Sequence, residues 1–187
     1  MTDAHLPRPA PRRSGLRWLL PLTLAAIVWV SWPWVKPALD RMVYAARLAG
    51  MPAPTALPVP VQGVSPLALR DTWAAARSGG RKHEGIDIFA TRGRQVLSAT
   101  EGIVTRMGTN PLGGNVVWVM GPGRQMHYYA HLERHAAIAV GDRVDVGTIL
   151  GYVGDTGNAR GTPPHLHYGI YAAGGAMNPY PRLKAPR

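Results

Sequence analysis

Residues 102–130 read GIVTRMGTNPLGGNVVWVMGPGRQMHYYA, and the fold class turns on this stretch. Ile103, Val104 and Thr105, then Val116 to Val119 with Trp118 among them, then Tyr128 and Tyr129, are β-branched or aromatic, the residue types that fit a pleated, half-buried surface. Between these runs stand Asn110, Pro111, Leu112, Gly113 and Gly114, and then Gly121, Pro122 and Gly123, which preset a turn or accept positive φ. Three short strands joined by tight turns are therefore expected, over 102–107, 115–120 and 126–130. Working outward, the same texture predicts strands over 85–89, 143–144, 149–153 and 166–171, with a further turn at 154–157. The glycine-punctuated run 140–151 is of the kind found in hairpins of small β-sandwiches and barrels. An all-β domain is the result, with no helix of length after Asp71; this settles fold class but not function.

A chain of 187 residues has room for one ordinary domain plus an extension. It has no cysteine, so a disulfide framework and a thiolate metal site are both excluded, and any metal must be held by histidine and carboxylate. The formal charge is +11. Seven basic residues (Arg8, Arg12, Arg13, Arg17, Lys36, Arg41, Arg47) face only Asp3 and Asp40 within residues 1–50, so nearly half the excess belongs to the N-terminal segment. No basic tract interleaved with aromatics occurs, and nucleic acid is not expected as a partner.

Residues 18–35 carry no charge and are dominated by Leu, Ala, Ile, Val and Trp, about the length that crosses a bilayer as a helix. The arginine cluster before it keeps residues 1–17 in the cytoplasm by the positive-inside rule and sends the rest outward. Trp18 stands at the entry and Trp29, Trp32 and Trp34 near the exit, where indole rings favour the interface. No small-x-small cleavage site comes after Trp34, so an uncleaved anchor in the inner membrane is preferred to a signal peptide, with the C-terminal domain in the periplasm. Residues 36–70 read as a linker: 39–48 continues as a short helix, and Pro52, Pro54, Pro58, Pro60 and Pro66 stiffen residues 51–66. That stretch either holds the domain off the membrane or packs along it as an extended arm. The domain itself is expected over 71–181, with a tail at 182–187.

The histidines carry the chemistry. His83 and Asp87 are at even separation, as are His165 and His167, and as are His127, Tyr129 and His131; in a strand each set shares a face, with roughly 7 Å between side chains two apart. Gly85 and the β-branched Ile86 and Ile88 argue against a helix there, and with Asp at 87 the helical His-Glu-x-x-His motif is rejected. Each set alone is ordinary. Together they offer what zinc takes when no thiolate is present, three His or carboxylate ligands and an open fourth position. Tyr129 and Tyr168 are read as packing, His127 as peripheral, and His135 and His5 as surface residues.

Three ordered motifs, Arg81-Lys82-His83-Glu84-Gly85-Ile86-Asp87-Ile88, Tyr128-Tyr129-Ala130-His131-Leu132 and Pro164-His165-Leu166-His167-Tyr168, resemble the M23 metallopeptidases of the lysostaphin and LytM type. The resemblance runs from about Asp71 to Pro181 and takes in Gly151-Tyr152-Val153-Gly154 and Thr156-Gly157-Asn158. It implies a glycine-rich antiparallel two-sheet β core with a groove over a zinc site. It implies Zn2+ on His83, Asp87 and His167, with His131 and His165 as the catalytic histidines, and peptidoglycan peptides as substrate. The rival expectation is a membrane-tethered peptidoglycan-binding or amidase-activating module with an idle metal site; relatives of that kind lack some of these residues, and none is missing here. Which bond is cut, the separate roles of His131 and His165, and a regulatory envelope protein as a further partner stay open at this level.

Overall fold

The computed structural model describes residues 19–186. The basic tail, Trp18 and His5 lie outside them. The chain divides into two compact units, Met1–Met42 and Val43–Arg187.

Helix α1 (Leu19–Gly50) carries Pro33 and Pro37 in its interior and runs past residue 35, where the apolar span was expected to end. Lys36 pairs with Asp40 at 2.6 Å, one turn apart. Arg41 Nε donates to the Pro37 carbonyl at 3.1 Å, so the last turn of this unit is tied by side chains as well as backbone. Leu22, Ile27, Val30, Trp29 and Trp34 are all strongly exposed, so the helix has no single apolar stripe of the sort that packs on a soluble core. Its Pro21–Gly50 portion is long and apolar enough to cross a membrane.

The second unit is antiparallel throughout, from strands β1 (Ile86–Phe89), β2 (Gln95–Leu97), β3 (Gly102–Asn110), β4 (Gly114–Met120), β5 (Met126–His135), β6 (Arg143–Val144), β7 (Ile149–Val153), β8 (His165–Ala172) and β9 (Gly175–Met177). The order is β1-β8-β5-β4-β3-β6, while β2 pairs with β7, β7 also pairs with β5, and β9 edges β8. The expected two sheets thus share one ladder through β5. Its first half, ending at Ala130, pairs with β8; its second half, beginning at Leu132, pairs with β7. The residue between them is His131, at φ 62. There three steps on β5, from Tyr129 to Leu132, oppose two on β4, from Val117 to Asn115, which is a bulge. It corrects the expected face: His127 and Tyr129 point into the core, and His131 is turned out of that row because the extra residue breaks the period of two. Strands β2 and β9 were not foreseen; each has only three residues, too few for alternation to show.

One buried cluster joins Ile86, Ile88, Val104, Val117, Val119 and Leu150. Tyr129 and Tyr168 are fully buried in it, and the Tyr129 hydroxyl accepts from Ala99 N at 3.0 Å. His127 is buried as well. Its Nδ1 lies 2.6 Å from the Tyr168 hydroxyl, and burial pushes its pKa down to about 3, which leaves it neutral. His135 is partly exposed, with Nε2 3.1 Å from the Val116 carbonyl.

Of the two courses open to the proline-rich stretch, the structure shows the packed one. Leu57, Val59 and Val61 enter the core; Leu57 N donates to Arg182 O at 2.9 Å, Leu97 N donates to Pro60 O at 3.0 Å, and Val61 bridges Val96. Full burial of each such side chain contributes about 1.5–3 kcal/mol, so this segment stabilises the unit where a spacer would not. The compact unit consequently begins at Val43, well before Asp71. At the other end, α2 (Tyr180–Lys184) buries Leu183, so residues 182–184 of the expected tail are part of the packing.

Candidate metal centre

Cross-strand register builds the centre. Asp87 on β1 stands opposite His167 on β8, and Phe89 stands opposite His165. His83 precedes β1 in an extended segment held by His83 N donating to Ala75 O and Ala74 N donating to His83 O, both at 2.9 Å. Gly85 is what lets that segment pass under β8: a Cβ there would lie 2.5 Å from the Tyr168 carbonyl oxygen and 2.7 Å from the His167 ring. Any side chain at 85 would therefore push His83 and His167 apart.

Three acceptor atoms converge. His83 Nε2 lies 2.8 Å from His167 Nδ1 and 3.0 Å from Asp87 Oδ1, and His167 Nδ1 lies 3.3 Å from the same oxygen. A single proton cannot bridge three acceptors, whereas a cation can. A tetrahedral ion with bonds of 2.0–2.1 Å sets its ligand atoms about 3.3 Å apart, close to this triangle. Among the described residues this is the cluster of His and carboxylate that could hold a metal. The donor set, two imidazoles and one carboxylate without thiolate, suits a divalent ion of the zinc kind.

The supports of these atoms were not legible in the sequence. His83 Nδ1 donates to the Thr72 carbonyl at 2.7 Å, which fixes the tautomer and leaves Nε2 with its lone pair toward the centre. Thr72 also accepts from Asp87 N through Oγ1 at 3.0 Å, so one residue anchors two candidate ligands. Arg77 Nη2 donates to Asp87 Oδ2 and turns Oδ1 toward the histidines. Burial pushes the Asp87 carboxyl up, but the polar contacts with His167 and His83 and the Arg77 guanidinium outweigh it and hold it well below the usual carboxylate range. Burial pulls His167 down. At neutral pH Asp87 is then a carboxylate and the His167 ring uncharged, the protonation state that a metal needs of them.

His131 and His165 stand beside it. Their rings are 5.0 Å apart, and His131 is 5.9 Å from the His167 ring. His165 Nε2 is 3.9 Å from Asp87 Oδ1. Each gives its Nδ1 hydrogen to a backbone carbonyl at 2.8 Å, His165 to Pro163 and His131 to Thr156. Each therefore presents a bare Nε2. Burial pushes His131 down to about 4, so it is a neutral acceptor at pH 7.

The left-handed backbone of His131 costs on the order of 1–3 kcal/mol and persists because its surroundings over-determine it. His131 N donates to Gly113 O at 2.7 Å, and Thr156 Oγ1 donates to Leu132 O at 2.8 Å while accepting from Asn115 N at 2.9 Å. Gly114 touches that threonine so closely that a Cβ would lie 2.1 Å from its hydroxyl. The glycine turn at 110–114 and the loop at 154–158 thus lock together around one histidine. All five histidine and aspartate positions singled out in the sequence line one groove of about 790 Å3, with His127 and His135 outside it.

The profile of Peptidase family M23 matches residues 81–179, more than half of the chain. The chain belongs to that family. An L-Ala–D-Glu endopeptidase of Bacillus subtilis is 39% identical over 142 residues, which are 70% of this chain and 43% of the relative. The catalytic domain of lysostaphin from Staphylococcus simulans superposes with a TM-score of 0.55 at 30% identity, over 61% of this chain and 90% of that domain. A putative glycyl-glycine endopeptidase LytM from Ruminococcus gnavus gives 0.57 at 33% identity, over 73% of this chain and 61% of that one. The M23 chain spans less than half the length of the curated relatives it matches. The mostly antiparallel β core expected from the sequence is the fold these domains share.

Proposed function

We propose that this chain is a zinc metalloendopeptidase that hydrolyses peptide bonds of peptidoglycan. The observation that carries the reading is the triangle of His83, Asp87 and His167 with two further histidines beside it, each tautomer set by a carbonyl. Membership of the M23 family supports it, as does the peptidoglycan chemistry in the names of relatives. In this reading His83 Nε2, Asp87 Oδ1 and His167 Nδ1 hold zinc. Zinc there would supply Lewis acidity to the scissile carbonyl and acidify an attacking water toward about pH 7. His131 and His165 move protons at Nε2. Either ring, with a bare Nε2, takes the proton of the water; once protonated, it donates to the oxyanion or to the leaving amine. Arg77 and Thr72 keep the ligands oriented, and the half-exposed groove admits an extended peptide between them.

The test is digestion of purified peptidoglycan sacculi by the full-length protein, with products read by mass spectrometry. Peptide fragments that appear with the wild type and vanish with a chelator support the reading. Intact sacculi together with stimulation of a cell-wall amidase would replace it by the idle-site module.

The same reading places the domain outside the cytoplasm, since peptidoglycan lies there. The apolar α1 supports an inner-membrane, single-pass anchor with the C-terminal domain in the periplasm. A C-terminal reporter active only in the periplasm is expected to be active on the fusion, with the full-length product in the membrane fraction. A shortened product released by mild washing would instead make α1 a signal sequence.

A further inference from the structure

Trp118 on β4, Tyr128 on β5 and Tyr171 on β8 lie on neighbouring strands, on the face opposite the core. The Trp118 and Tyr128 rings are 4.3 Å apart and inclined by 33°, Trp118 and Tyr171 are 5.3 Å apart, and Tyr128 and Tyr171 6.4 Å. Cross-strand aromatic pairs stabilise a sheet wherever they sit. These three do more than that, because all are half-buried and together they make the wall of the groove that ends at the metal centre. Tyr128 reaches it directly, with its ring 5.7 Å from that of His167. Gly113 lets it do so: a Cβ there would stand 2.0 Å from the Tyr128 hydroxyl.

The three rings are tilted against one another, Tyr171 by 48° to Trp118 and by 74° to Tyr128, and form a faceted aromatic wall; such a wall suits a pyranose, whose one face is a sheet of C–H groups. Peptidoglycan supplies such a ring at the root of every stem peptide, joined to it through a lactyl group. The spacing then selects a region of the stem. The two steps of 4.3 and 5.7 Å put Trp118 within about 10 Å of His167, and an extended chain covers about 3.3–3.6 Å per residue. The lactyl unit and one or two amino acids span about 7–10 Å, which brings a bond near the root of the stem to the centre; a cross-link after the fourth residue lies about 17 Å out. The charges agree. Of those lining the groove, Arg77, Arg81 and Lys82 outnumber Asp87 and Glu84, a balance that suits the carboxylates of a stem and gives nothing to an uncharged glycine bridge.

We infer that Trp118, with Tyr128 and Tyr171, forms a saccharide subsite that holds an N-acetylhexosamine of the glycan strand and sets a bond near the root of the stem peptide, after its first or second residue, at the metal centre. This rests on the peptidase reading above. The test compares a disaccharide-linked stem peptide with the same peptide free of sugar, using the full-length chain in a detergent without sugar groups. The sugar-bearing substrate is expected to show a KM about tenfold lower, with kcat similar and a bond after the first or second stem residue cut. Trp118→Ala is expected to bring the ratio of the two KM values close to one, and Trp118→Phe to keep most of the difference. Cleavage confined to the distal cross-link, or Trp118→Ala slowing both substrates equally, overturns the subsite. A second readout is independent of turnover: calorimetric titration of the peptide-free disaccharide into wild type and Trp118→Ala. Binding that depends on Trp118 in a protein that cuts neither substrate keeps the subsite and overturns the peptidase reading. Cleavage of both substrates alike without disaccharide binding does the reverse.

Discussion

Protein purified at neutral pH is expected to carry close to one zinc per chain, and His83→Ala or Asp87→Ala to fall below about a tenth of that, because two remaining protein ligands do not retain the ion. Both variants also lose hydrolysis of peptidoglycan. Asp87→Ala has a second consequence: Arg77 loses its carboxylate partner, and His83 Nε2 and His167 Nδ1 face each other 2.8 Å apart without the charge that holds them. Asp87→Asn separates the two effects, since it keeps the shape and removes the charge. It is expected to fold, as judged by thermal unfolding in the presence of chelator, and still to lose zinc by mass spectrometry. Full metal content in His83→Ala and Asp87→Ala would remove both from the ligand set.

How much of this was legible in the sequence depends on how local each feature is. The runs at 102–130 alternate with turn residues over short spans, so β3, β4 and the first half of β5 could be read directly. Asp87 and His167 could be named from their motifs, yet their meeting needed the register of β1 against β8. The proline-rich stretch carried a signal that its prolines masked: Leu57, Val59 and Val61 recur with period two, the pattern of an extended chain laid on a core. Helix α1 extends to Gly50, past Lys36, where the end of the uncharged run had set the expected limit. Thr72 and Arg77 had no signal of their own, because Thr72 grips His83 through a backbone carbonyl, which any residue type has, and Arg77 acts through an ion pair formed only in the fold; Thr156 stood in a motif of the resemblance, but nothing there told that its carbonyl would hold His131. The outward turn of His131 was hidden for a similar reason. A bulge is a property of two strands together, and the period-two rule that places His127 and Tyr129 correctly fails one step later.

That turned backbone gives the second large effect its form. His131→Ala and His165→Ala are expected to retain zinc and to lose about 10²–10⁴ in kcat on peptidoglycan, the usual contribution of a positioned acid-base group. Neither nitrogen belongs to the triangle of acceptors, so metal content is expected to equal that of the wild type. The two variants differ in what they release. His165 sits in regular β8, packed on Phe89 at 5.1 Å between ring centroids, and its removal leaves the strand in place. His131 sits at φ 62 with its Nδ1 bound to Thr156, and alanine there keeps the unfavourable backbone while losing that hydrogen bond. His131→Ala is thus expected to unfold at lower temperature than His165→Ala. His131→Gly, which removes the same imidazole but accepts positive φ, is expected to recover much of that stability and none of the activity. Activity returning in His131→Gly, or wild-type turnover in either alanine variant, would show that the proton is carried by a group other than these two rings.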